Sequence, residues 1–363
     1  MTSYNPILPR QAPGKATALE WVQYNLIRSP LHIFLSAVSI FLACYIAYHF
    51  LDWAVVSAAW SGDSRENCTS GGACWPFVIV RFNQFMYGFY PKAEQWRVNL
   101  VAVILLVGLV WLLIRATPGK KYVVFFLVLG FPIVTFVLLS GGLGLEPVST
   151  SKWGGLTLTL TIAVTAIAVS LPIGTLLALA RRSQMPVVSV MAVTFIEVIR
   201  AVPLISVLFM ASVLLPIFLP PDASVDKLLR ALVGVALFAS AYMAEVVRGG
   251  LQAVPVGQIE AAKSLGLSHW RITAFVVLPQ ALRLSIPGIA NTFIAIFKDT
   301  SLVIIIGLFD LLGMINAGVN DSRWIGMELE GYVFAAAIYW IFCRSISRYS
   351  QRLEKESNFG HRE

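Results

Sequence analysis

Charge is what this sequence has least of. Only 13% of its 363 residues are Asp, Glu, Lys or Arg, against roughly 25% in ordinary soluble domains. Four histidines (His32, His49, His269, His361) are scattered and none pairs at ligand spacing, so no histidine metal centre is expected. A Walker A pattern is missing: Gly119-Lys120 lacks the upstream glycine and joins two apolar runs, so ATP hydrolysis on this chain is excluded. There is no G-x-S-x-G nucleophile phrase, no basic-aromatic platform for nucleic acid and no internal repeat of the kind common in secondary transporters. A cleavable signal is not evident either, because the first apolar run starts only after Pro30 and lacks a small-residue cleavage site.

What is abundant is apolar. Hydrophobic residues make up 58% of the chain and the mean hydropathy is +0.77, which marks an all-α integral membrane protein with apolar runs of bilayer-spanning length. The spacing predicts eight spans, at residues 31–51, 98–114, 122–139, 153–181, 201–219, 228–247, 284–306 and 331–346. Residues 52–97 read as a polar loop of 46 residues between the first two spans. Pro132 is expected to kink the third span, and the WGGLTLT start of the fourth to lie obliquely or at the membrane interface. Thr157, Thr159, Thr161 and Thr165 suit helix–helix packing there. Residues from 184 to about 200 read as a cytoplasmic-side helix, Pro220-Pro221-Asp222 as a turn, and the tail from 347 as short, charged and unstructured. With both termini inside, 17 of the 27 Lys and Arg fall in inside segments and 8 outside, while Arg200 and Lys298 lie within apolar stretches. That distribution follows the positive-inside rule.

One polar stretch, residues 248–283, interrupts this pattern between two apolar segments. Gln258 to Leu265 reads as a short helix after Pro255, with Gly266 as the left-handed residue that ends it. Ser268 is the expected N-cap of a second short helix that Pro279 interrupts. Ala261 and Ala262 carry almost no side chain, so a partner surface could approach the backbone closely, and Glu260 could accept hydrogen bonds. The plain alternative is a solvated amphipathic hairpin with no partner.

The phrases in and around this elbow carry a resemblance. Glu260-Ala261-Ala262, Gly266 and Val276-x-Leu278-Pro279 resemble the EAA signature of ABC-importer permease subunits. AYMAEVVRGGLQAVPVGQ, LPQALRLSIPG and FKDTSLVIIIG are similar to the polar amino acid permeases of the histidine/glutamine type. The likeness runs from about residue 153 to 349, and more loosely upstream to the general L-amino acid permeases of Gram-negative bacteria. It implies a five-helix type I importer core at 147–349 and three accessory helices in 31–146 with a periplasmic loop 52–97. Residues 1–30 and a tail at 350–363 would then be cytoplasmic. It implies that Glu260, Ala261, Ala262 and Gly266 form a coupling helix on a separate ATPase. It also implies a paralogous permease subunit, two ATPase subunits, a periplasmic amino-acid-binding protein and the lipid of an inner membrane as partners. This chain would hold no cofactor, with ATP and Mg bound by the partner ATPase.

Charged residues in apolar spans are expensive and usually functional. Lys298, Asp299, Thr300 and Ser301 are candidates for the pathway of a zwitterionic substrate; a structural ion pair is the competing reading. Glu197 and Arg200 share a helix face and could pair locally, as could Glu245 and Arg248, in gating or structural roles. Cys68 and Cys74 lie in the loop expected to face the periplasm, where a disulfide persists; two thiols without histidine make a poor zinc site. An ion-coupled secondary transporter of amino acids would also use Lys298, Asp299 and Glu197, but it leaves the elbow without a task.

Overall fold

The computed structural model describes residues 22, 26–27, 29–69, 71–114, 117–218, 220 and 225–358. Most of segment 1–30, Arg115, the turn at Pro221-Asp222 and His361 therefore lie outside the described residues. The chain forms two compact units, Met1–Pro76 and Phe77–Glu363.

The first unit is one long helix and a small knot. Helix α1, Pro30–Leu51, opens with Ser29 as N-cap and proline in its first turn, and none of its side chains is buried. Apolar all round and uncovered, it is a helix built to face lipid. At its far end Cys68 and Cys74 form a disulfide. The indole of Trp75 donates to Ala54 O at 2.7 Å, and Trp53 and Trp60 pack around the same ring.

The second unit begins inside a helix that the sequence pattern hid. Residues 52–97 are not a continuous polar loop, because Trp75–Tyr87 (α2) is helical and Phe77 and Phe85 are fully buried. Their rings meet Trp324 and Phe334, and Arg81 pairs with Asp321. Short flanking breakers made this 13-residue helix look like loop, and only its apolar partners reveal it as a wedge.

Helices α3 (Gln95–Leu113) and α4 (Lys120–Ser140) follow. Their outer ends are clamped by buried Arg97, which binds Glu94 at 2.6 Å and Glu146 O at 2.7 Å. Val98 and Leu139 share a core with Leu158 and Ile162, so the spans expected to be accessory pack directly on the next helix. The start of that helix, α5 (Gly155–Arg181), is covered by protein: Trp153 is buried and Gly155 N–H donates to Phe309 O at 2.9 Å. Of the four threonines expected to serve packing, two bond across elements, as Thr157 donates to Met86 O and Thr159 accepts from Leu311 N–H, while Thr161 bonds back to Thr157 O.

Helix α6 (Pro186–Ala201) and helix α7 (Leu204–Phe218) meet at a bend of 103°. Helix α8 (Lys227–Ala253) packs so closely on α5 that a Cβ on Gly174 would stand 2.6 Å from Met243 Cβ. The elbow follows as α9 (Val256–Ser264) and α10 (269–284). Then come α11 (Ile286–Ile306), α12 (Leu311–Val319) and α13 (Glu328–Asn358). Seven described helices are long and apolar enough to cross a membrane, or eight if α6 and α7 form one broken span.

Three prolines do not break their helices. Pro132, Pro216 and Pro279 each stand two residues after a π-helical turn, at Phe126–Gly130, Met210–Leu214 and Ile272–Val277. A proline ring collides with the carbonyl four residues back and leaves it without a donor. In all three cases that carbonyl lies within the widened turn, which relieves the collision. Near Pro216 the freed Ser212 carbonyl is taken by the Arg230 guanidinium. Pro279 therefore does not interrupt the second elbow helix as expected. The tail, expected to be unstructured, is helical as far as Asn358. Nothing between Tyr332 and Asn358 is glycine or proline, Arg352 pairs with Glu356, and α13 continues to Asn358.

Candidate functional site

The elbow starts where α8 ends. Pro255 precedes α9 and Gly266 closes it at φ +73°, a left-handed conformation that glycine adopts at no steric cost. Ser268 flanks the second helix in an extended conformation, without a side-chain cap. What holds the elbow is apolar: Ala262, Ile272, Val277 and Ala281 join Val247 and Leu251 in one buried cluster. Gly250 permits this approach, since a Cβ there would run into the Ala281 carbonyl and Ser285.

The two alanines consequently part company. Ala262 is only 5% exposed and faces the protein's own core, so it does not present a partner surface as expected. Glu260 and Ala261 lie on the open side. The Glu260 carboxylate makes no hydrogen bond or ion pair among the described residues. Beside them Leu265, Trp270 and Phe275 are 77–80% exposed. Exposed aromatic and aliphatic groups of this size on one elbow offer a surface suited to another protein.

Next to the elbow, charges from three helices converge on Glu245. Arg248 binds it from the following turn, Nε to Oε1 at 2.8 Å. Arg181, at the end of α5, reaches Glu245 at 3.4 Å and Glu197 at 2.9 Å. Arg200 reaches Glu245 at 3.6 Å and lies over the Tyr242 ring. Thus Glu197 binds Arg181, and Arg200 binds Glu245, instead of the local Glu197–Arg200 pair expected from spacing. From the sequence Arg181 reads only as the end of the fourth span. Its position as the first charge after 28 apolar and polar uncharged residues was the available signal.

The four pathway candidates do not act as one cluster. At Thr300 the helix tightens into a 3-10 turn that runs to Ile306. Thr300 and Ser301 spend their hydroxyl protons on Phe297 O and Lys298 O. Lys298 is exposed. Asp299 is half-buried and has no hydrogen bond or ion pair among the described residues. The Lys298 side chain likewise has no hydrogen bond or ion pair among the described residues, so the two neighbouring opposite charges are the groups in this turn not bonded within the chain.

A second buried carboxylate escaped the sequence reading. Asp310 is fully buried and caps α12, accepting from Gly313 N–H at 2.9 Å and Leu312 N–H at 3.3 Å. Tyr339 of α13 donates to it at 3.3 Å. Burial pushes its carboxyl above the usual carboxylate range, and these three donors oppose the rise. An aspartate just ahead of an apolar run is an N-cap pattern, which could have found it. Among the described residues no group of histidine, cysteine and carboxylates could hold a metal ion.

The family profile "Binding-protein-dependent transport system inner membrane component" matches residues 170–356. The inner membrane amino-acid ABC transporter permease protein YhdY of Escherichia coli (strain K12) is 53% identical, over 97% of this chain and 96% of that protein. The glutamate/glutamine/aspartate/asparagine transport system permease protein BztC of Rhodobacter capsulatus is 37% identical, over 98% of each chain. A crystal structure described as an amino acid ABC transporter with histidines covers 56% of this chain and 92% of its own, with 31% identity and a TM-score of 0.50.

Proposed function

Because the chain belongs to the family of binding-protein-dependent transport system inner membrane components, we propose that it is the permease subunit of an ABC importer that carries amino acids inward, coupled through its elbow. As a family member it is a transport component and not an enzyme, and it works with an ATPase and a binding protein. The finer assembly we infer is one paralogous permease subunit, two ATPase subunits and a periplasmic amino-acid-binding protein. ATP and Mg belong to the ATPase, with no cofactor on this chain.

One observation carries the coupling role: the elbow has a docked side and an open side. Ala262 joins the two elbow helices to α8, while Glu260, Ala261, Leu265 and Trp270 are open to a second protein. Closing of the ATPase pair then draws the elbows of two permease subunits together. The buried cluster and the Glu245 charges transmit that movement to α5, α6 and α8, opening the pathway outward. Reconstituted vesicles test this. Uptake should need ATP, the ATPase and the binding protein; uptake driven by an ion gradient in their absence would overturn the reading.

The orientation follows from the same reading, with the elbow and both termini in the cytoplasm of a cell with an inner membrane. With Cys44 and Cys343 changed to serine, His269→Cys should react with a membrane-impermeant thiol reagent only in inverted vesicles. Labelling of intact spheroplasts would reverse the layout.

Asp299 is the proposed contact for the substrate's ammonium group. Asp299→Asn keeps shape and hydrogen bonding but removes the charge, a loss of about 1.5–3 kcal/mol for a charged hydrogen bond. That corresponds to a roughly 10- to 150-fold weaker apparent affinity. The complex should assemble and retain ATPase activity while uptake falls. Unchanged uptake across acidic, neutral and basic amino acids removes Asp299 as a ligand, and failed assembly makes it structural.

A further inference from the structure

A cavity of about 250 Å³ lies between α2, α3, α4 and α5. Three of these four helices are candidate membrane spans, so the medium at its mouth is bilayer rather than water. One part of its wall is purely aliphatic, formed by Ala102, Leu105, Leu160 and Val164. Polar groups gather at the other end. There Tyr87 donates to Asn99 Oδ1 at 2.8 Å, which leaves the Asn99 amide N–H groups without an acceptor among the described residues. Thr135, also in the wall, is 2% exposed and its hydroxyl has no hydrogen-bond partner among the described residues. A threonine inside a helix commonly bonds back to its own backbone, so this free hydroxyl is unusual.

The polar end coincides with the ends of α3 and α5 that lie away from the elbow. Asn99 stands six residues before Leu105, and Thr157 seven before Val164. At 1.5 Å per residue the aliphatic part extends roughly 9–11 Å along the helices. One leaflet of hydrocarbon is about 15 Å deep, half of the ~30 Å core. The cavity therefore has the polarity order of a single leaflet and fits within its depth. At about 250 Å³ it is too small in volume for a protein helix about 10 Å across.

We propose that this cavity is a binding site for one acyl chain of a phospholipid from the leaflet opposite the elbow. The chain lies along Ala102, Leu105, Leu160 and Val164. Its ester carbonyl accepts hydrogen bonds from the Asn99 amide and the Thr135 hydroxyl. The lipid cements α3 and α4 to α5, giving the accessory spans a lipid-filled joint with the transport core.

The test uses the intact transporter complex purified in mild detergent, with retained phospholipid measured by native mass spectrometry and lipid phosphate. Wild-type complex should keep a phospholipid that Ala102→Trp, which fills the cavity, loses. Leu106→Trp adds the same indole on an exposed position outside the cavity and should keep it. The combination Asn99→Leu with Thr135→Val leaves the volume open and should lower retention without preventing assembly. Equal retention in wild type and Ala102→Trp overturns the proposal, as does equal retention after the Asn99 and Thr135 changes. Should Ala102→Trp fail to assemble, the polar pair decides alone. Retention of free fatty acid with no phospholipid, or cross-linking of Ala102→Cys to another protein chain, also overturns it.

Discussion

Ala262→Glu should release the elbow from the permease, whereas Ala261→Glu, one residue earlier, should leave the elbow docked and block the ATPase. Ala262 is packed among Val247, Ile272 and Ala281, and a carboxylate cannot be buried there without a partner. The cost of an unpaired buried charge is several kcal/mol, comparable to a domain's entire stability margin. The chain avoids it by swinging α9 out of its seat. Ala261 already faces solvent, so the same substitution there changes the permease's own stability by less than about 0.5 kcal/mol. It instead places bulk and a second negative charge beside Glu260, on the face where a partner must approach. Loss of a central interface position costs about 2 kcal/mol or more, a roughly 30-fold weakening of ATPase binding. Amide hydrogen exchange over 256–284 separates the two: protection falls for Ala262→Glu and stays for Ala261→Glu. Co-purification of the ATPase falls for both. Full uptake by Ala261→Glu would mean that the open face is not the coupling surface.

Glu245→Ala is expected to have the second large effect. Its carboxylate receives Arg181, Arg200 and Arg248 from three different helices. Its removal leaves three guanidinium groups facing one another with Glu197 as the remaining nearby acid. A fully buried pair broken in this way costs about 3–5 kcal/mol. Glu245 retains 24% of its side-chain exposure, so solvent screens part of this and the lower half of that range is expected. Glu245→Gln, which keeps the shape and some hydrogen bonds, should lie between wild type and alanine. The measurable outcome is a lower melting temperature of the complex together with uptake reduced relative to ATP hydrolysis. If hydrolysis and uptake fall in parallel with no loss of thermal stability, the cluster does not link α5, α6 and α8. Glu197→Ala removes only one of the partners of Arg181 and should have a much smaller effect.

These contrasts show where the sequence was sufficient. Uncharged runs of spanning length have only one stable setting, because every backbone polar group in hydrocarbon must be bonded internally. Spans, their charged brackets and the helical class were therefore legible from composition and order. Gly266 was legible for an equally local reason, as a left-handed helix end favours a residue without Cβ. The EAA phrase marked the elbow itself.

Other features required the tertiary structure. Adjacent residues on a helix point about 100° apart, and α9 is too short and too polar for its sequence to say which alanine turns inward. Only the seat made by Gly250, Ala281 and Val247 decides that it is Ala262. Pro279 reads locally as a helix stop, yet a π turn absorbs it, because tertiary packing holds the two halves of α10 in line. The wedge α2 looked like loop since its two buried rings have partners more than 230 positions away, at Trp324 and Phe334. Arg181 became central for the same reason: its acids sit on α6 and α8, and long-range charge pairing leaves no spacing in the chain. Local conformation and membrane partition were written in the order of residues, while the choice of partner and of face was made by the distances that folding closed.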